Sequence, residues 1–114
     1  MQQTNLINLT PHEVVLVCGD HILAFPPSGT VARVIRERRR EGALKGGDVL
    51  IPVNAISETD IANLPPPESG KQYIVSNIVA RFASDRDDLL TVDQVIRNNN
   101  GHIIGAAALA KIRN

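Results

Sequence analysis

Three polar groupings have residue types and spacing that could do chemistry. The first is Ser28-Gly29 with Arg33 a few residues on. A glycine turn presents backbone amides to an anion, and an arginine on the following strand can add a bidentate contact. The bland alternative is an ordinary hairpin. The second is Ser76-Asn77 followed by Arg86, Asp87 and Asp88. A helix start at Ser76 would favour an anion, and an arginine flanked by carboxylates could hold phosphate and ribose hydroxyls together. The alternative is a capped helix plus a local salt bridge. The third is Asn8, Thr10 and His12 around Pro11. It reads as a turn whose side chains satisfy backbone groups, with Thr10 and His12 also available to a ligand. The candidate ligand-binding set is therefore Thr10, His12, Ser28, Arg33, Ser76, Asn77, Arg86, Asp87 and Asp88.

Stronger chemical motifs are missing. The chain has no phosphate-binding glycine loop, no paired Cys-x-x-Cys, no His-Glu-x-x-His and no Gly-x-Ser-x-Gly elbow. Its histidines, His12, His21 and His102, fall on separate turns and strands, and no spacing forces them together. No catalytic residue, metal or cofactor is expected. The single cysteine, Cys18, ends the run Val14-Val15-Leu16-Val17 and reads as a small buried hydrophobe. One thiol cannot form an internal disulfide, so nothing suggests an oxidising compartment. A basic cluster, Arg33, Arg36, Arg38, Arg39 and Arg40, reads as a solvated loop or strand end, or as a phosphate or partner patch.

The balance of residues narrows the partner classes. Lysine plus arginine and aspartate plus glutamate number 12 each, where nucleic-acid binders carry a basic excess. Aromatic residues are only Phe25, Tyr73 and Phe82, too few for a base-stacking platform. No nucleic-acid partner is expected. No apolar run approaches the ~20 residues of a membrane helix, and Met1 to Asn5 lacks the features of a leader, so a cytoplasmic domain without membrane contact is expected. The hydrophobic share of 43% allows one aliphatic core over residues 1–114.

The elements that must position these residues are mostly strands. Glu13–Cys18 and His21–Phe25 flank Gly19-Asp20 as a β-hairpin. Thr30–Arg36 and Val49–Val53 read as strands, with Pro52 marking an edge. Residues 37–48 read as a mobile loop or a wide hairpin connection, and Ser57 to Asp60 as the opening of one helical turn. Leu64 to Gly70 is a proline-stiffened crossing. Lys71–Ser76 is a strand, and Ser76 caps a short helix over Asn77–Ala83 with Ile78, Val79 and Phe82 as its buried stripe. Leu89 to Ile96, the turn Asn98 to Gly101, His102 to Ile104 and Leu109 to Ile112 complete the chain. At Gly105 to Ala108 another backbone can approach closely. The expectation is a mainly β, compact antiparallel sandwich or barrel-like single domain with one short helix.

Asn8-Leu9-Thr10-Pro11-His12, Phe25-Pro26-Pro27-Ser28-Gly29, Ala32-Arg33-Val34, Tyr73-Ile74-Val75-Ser76, Arg86-Asp87-Asp88 and Gly101 with Ile103-Ile104-Gly105 together resemble a family of small uncharacterised phage and bacterial proteins. The resemblance spans most of the chain apart from residues 37–63. It implies a phage context, in which small oligomeric proteins sequester nucleotide-derived signals of host defence. It transfers no catalytic residue. The leading expectation is thus a non-catalytic, homo-oligomeric binder of an anionic or nucleotide ligand, acting in the host cytoplasm. Two rivals stand beside it. One is a module inhibiting a host protein through Arg36–Arg40 and Pro65–Pro67. The other is a small hydrolase with His12 as base near Asp87 or Asp88.

Overall fold

The computed structural model describes residues 4–113; Met1 to Gln3, in the stretch read above as lacking a leader, and Asn114 lie outside the described residues. The chain is mainly β with one short helix, as expected. Its strands are β1 (Asn5–Asn8), β2 (Val14–Cys18), β3 (His21–Phe25), β4 (Arg33–Gly46), β5 (Val49–Ala62), β6 (Lys71–Ile74), β7 (Leu89–Arg97) and β8 (Ile103–Ala110). The helix α1 is Asn77–Phe82, between β6 and β7.

Six strands form one sheet in the order β1-β6-β7-β8-β2-β3. Hairpins at Gly19-Asp20 and Asn98–Gly101 give the antiparallel pairs β2–β3 and β7–β8. Gly19 and Gly101 take φ of +61° and +81°, which a residue with a Cβ resists. The pairs β1–β6, β6–β7 and β2–β8 are parallel and join distant parts of the chain. The segment after β3 then returns to the other edge of the sheet. Ser28 N–H donates to the Asn8 carbonyl at 3.1 Å and Ala32 N–H to the Leu9 carbonyl at 3.0 Å. These bonds nearly close the sheet into a barrel-like form.

The run Tyr73-Ile74-Val75, at and just past the end of β6, is covered on both faces. Successive side chains point to opposite faces, and all three are buried. Tyr73 and Val75 pack with Leu9, Val79, Ala80 and Leu89. Ile74 packs on the other side with Val14, Leu16 and Ala106. A strand covered on both faces reads as a continuous apolar run. Ser76 caps α1 as expected, its hydroxyl accepting from Val79 N–H at 3.4 Å. The buried stripe differs from the expected one. Val79, Ala80 and Ala83 are buried, whereas Ile78 is only partly covered and Phe82 is exposed. Small residues on this face let the short helix sit close to the core.

The largest departure is at residues 37–46 and 54–62, either side of the expected strand Val49–Val53. Instead of a mobile loop or wide connection and a helical turn, they continue β4 and β5, two fourteen-residue strands paired only with each other. The ribbon reverses at Gly47-Asp48. Gly47 has φ +60° in the first central position, matching the twist of the flanking strands. Register shifts fall between Ile35 and Arg36 and between Arg40 and Gly42. The edge position read from Pro52 fits a two-stranded ribbon. Cys18 is exposed and not buried, because it lies at the hairpin end of β2. No helix among the described residues is long and apolar enough to cross a membrane.

Candidate functional site

Asn8 organises the segment that begins the site. It is buried, and its amide uses every donor and acceptor it has. Its Nδ2 donates to the carbonyls of His12 at 2.8 Å and Phe25 at 2.9 Å. Its Oδ1 accepts from Thr10 N–H at 2.9 Å and lies 2.7 Å from the Thr10 hydroxyl. The turn read from Asn8, Thr10 and Pro11 is therefore formed by side-chain-to-backbone bonding. It fixes Thr10 and His12 against the end of β3.

Thr10 and His12 open onto a groove of about 540 Å³, within the range of small-molecule sites. Ser76 and Asn77, from the start of α1, stand on the same rim. The floor is aliphatic: Val15 of β2, Val92 and Val95 of β7, and Ile103 and Ile104 of β8. Val92 and Val95 are three residues apart, a spacing that simple alternation would put on opposite faces. Between them Gln94 takes φ +54°, where the alternation breaks and both valines reach the groove. Val92, Val95, Ile103 and Ile104 remain 40%, 43%, 58% and 55% exposed, so this floor is not closed by the chain's own core.

A second concavity of about 380 Å³ adjoins the groove, because Thr10 and Ser76 line both. Its walls add Pro11, Val31, Ala32 and Ile78, and its charges are Arg33 and Arg36 at the base of the ribbon. Arg33 makes no side-chain hydrogen bond or ion pair among the described residues. Arg36 approaches Glu58 only at 3.9 Å, with its side chain half exposed. Both guanidinium groups keep donors for an anion.

The remaining sequence candidates lie elsewhere. Ser28 bonds locally, accepting from Thr30 N–H at 3.4 Å and donating to the Thr30 carbonyl at 3.2 Å. Arg86, Asp87 and Asp88 line a separate shallow depression with Pro67, Lys71 and Gln72. Arg86 donates to both oxygens of Asp88 at 2.8 Å and to the Pro65 carbonyl at 3.0 Å, latching the proline crossing to the loop before β7. This double hydrogen bond holds the Asp88 carboxyl below its ordinary value and raises Arg86. Arg113 and Lys111 depress the exposed Asp87 in the same direction. These charges satisfy one another, so the expected grouping of Ser76 and Asn77 with Arg86 to Asp88 is not formed. The pairing of His12 with Asp87 or Asp88 is not formed either.

Sequence reasoning missed the apolar floor, because valines and isoleucines in strands read as core. The one available signal was apolar residues on both faces of β7 and β8. No group of three or more His, Cys, Asp or Glu among the described residues could hold a metal. Compared with protein-family models, curated proteins and solved structures, the chain shows no match.

Proposed function

We propose that the protein is a non-catalytic binder of a small anionic ligand of the nucleotide class. The observation that carries this reading is the pair of adjoining concavities meeting at Thr10 and Ser76. One is apolar-floored; the other offers two arginines. A ligand spanning them places a flat, weakly polar base over Val95, Ile103 and Ile104. Its phosphate then meets Arg33 and Arg36. His12 and Asn77 supply rim hydrogen bonds to ribose or base edges. Arginine suits phosphate because its planar fork donates two parallel bonds. Holding without turnover is what a sequestering role needs. It agrees with the phage anti-defence context that the resemblance implies.

Calorimetry against cyclic nucleotides and ADP-ribose species tests this. The expected result is saturable binding, with ligand recovered chemically unchanged. Val95→Arg and the Arg33→Ala/Arg36→Ala pair should each weaken it at least tenfold, about 1.4 kcal/mol. Absence of heat with every ligand of the panel rejects the reading.

A further inference from the structure

The ribbon leaves the chain far more exposed than a compact monomer of its mass. The accessible surface is 8248 Å², against about 6,100 Å² for a compact monomer of this mass. The radius of gyration is 18.2 Å, against about 13 Å for a compact domain of this length. The surplus of about 2,100 Å² exceeds the ~800 Å² that each partner contributes to a stable interface. An isolated two-stranded hairpin is also marginal in water.

In the distal half of the ribbon one face carries Leu50 opposite the charged Lys45 and Pro52 opposite Ala43, whereas the other face carries no charge. Cross-strand partners point to the same side. One side therefore carries Leu44 with Ile51 and Val53 with Gly42, and at the tip Val49 with Gly46. The Ile51 side chain lies across Gly46, where an added Cβ would come within 2.8 Å of its Cδ1. Leu44, Val49 and Ile51 are 64%, 64% and 49% exposed. The opposite side is polar along its middle, with Arg36 facing Glu58 and Arg40 Nε donating to Asn54 Oδ1 at 3.1 Å.

We propose that this face is covered by the same face of a second copy, the two ribbons crossing about a twofold axis at the Leu44–Ile51 pair. Charge complementarity supports a second copy over an unrelated protein. With the axis there, the Gly46–Val49 pair lies over the partner's Gly42–Val53 pair. The turn at Asp48 then lies one step short of the level of Arg39, within reach of that long side chain, which the bulge at Glu41 leaves on the apolar side. Each copy supplies one carboxylate and one guanidinium, so two ion pairs form by symmetry, as a self-complementary interface requires. The proposal stands apart from the ligand reading, since none of these residues lines either concavity.

Light scattering coupled to gel filtration tests it on the full chain. The expected mass is twice 12.3 kDa. Ile51→Glu, at an exposed position, should give the monomer with an unchanged circular dichroism spectrum. Asp48→Arg and Arg39→Asp should each weaken dimerisation at least tenfold, and the two together should restore it. A wild type that is monomeric at every concentration overturns the proposal. So does one that is monomeric but retains duplex DNA through its ribbon arginines. A dimer indifferent to Ile51→Glu, or a double swap that fails to restore association, also overturns it.

Discussion

Replacing Asn8 by alanine should be among the most damaging single changes in this chain. The side chain is 3% exposed and takes part in four hydrogen bonds, none of which alanine can replace. Each is worth about 1 kcal/mol net, giving a loss of about 4 kcal/mol. That is a large part of the 5–15 kcal/mol that a domain of this size commands. At roughly 4 °C per kcal/mol the melting temperature should fall by about 15 °C. Asn8→Asp sharpens the test. Its carboxylate can still accept from Thr10 N–H but turns an oxygen towards two carbonyls that Asn8 Nδ2 now serves. Burial beside those carbonyls favours the protonated form, which can donate to one of them. The folded pKa is then raised above the unfolded value, so the variant should gain stability as pH falls through it, whereas Asn8→Ala shows no such gain. Urea denaturation at several pH values measures both effects. A loss under about 1 kcal/mol for Asn8→Ala would refute the argument that this amide organises the site's entry.

Two further perturbations test the latch and the approach of β8 to β2 at Gly105. Asp88→Asn should cost about 2 kcal/mol near neutrality, since Arg86 and Asp88 are only 18% and 15% exposed. Because Arg86 depresses the Asp88 carboxyl, its contribution is present above the unfolded pKa near 3.8 and lost as pH falls through the lower folded value. The gap between wild type and variant, read from urea midpoints, should therefore narrow on acidification; an equal gap at both ends would contradict it. Gly105→Val should cost about 1–3 kcal/mol, because even a Cβ there lies 3.2 Å from the Val15 carbonyl oxygen. An unchanged melting temperature would show that β2 and β8 can move apart freely.

Much of the body was legible because its signals are local. Gly19-Asp20 marks the β2–β3 hairpin, Asn98 to Gly101 marks the β7–β8 turn, and Ser76 caps its helix. Gly105 meets a neighbouring backbone as its lack of a side chain suggests. The strand segments Arg33–Arg36 and Val49–Val53 of the ribbon were legible, but its extension over residues 37–46 and 54–62 was not, because a strand pair exposed on both sides there carries no regular alternation of apolar and polar residues. Glu37 to Glu41 reads as part of a loop for the same reason that it tolerates water as a strand. The parallel pairings were not legible either, since nothing within Asn5–Asn8 names Lys71–Ile74 as its neighbour. Of the candidate site, Thr10, His12, Ser76 and Asn77 converge on one groove, with Arg33 in the adjoining concavity. Arg86 and Asp88 looked like ligand groups because two opposite charges at close spacing can either bind or neutralise each other. The double hydrogen bond to Asp88, together with the Pro65 carbonyl beside Arg86, decides between these outcomes.

The parallel pairings also govern the order in which the chain can assemble. Leu16 must wait for Ala106 and Asn5–Asn8 for Lys71–Ile74, so the sheet closes only after nearly the whole polypeptide is available. Such distant contacts raise the loop-closure entropy that precedes any reward and slow folding. The hairpin of β4 and β5 joins neighbouring residues and can form on its own timescale of microseconds. On a ribosome the ribbon would emerge before β6, β7 and β8, the strands that complete the sheet anchoring it. Its apolar face then joins the earlier β2–β3 hairpin as sticky surface on the nascent protein, and the half-made sheet is the species most exposed to aggregation.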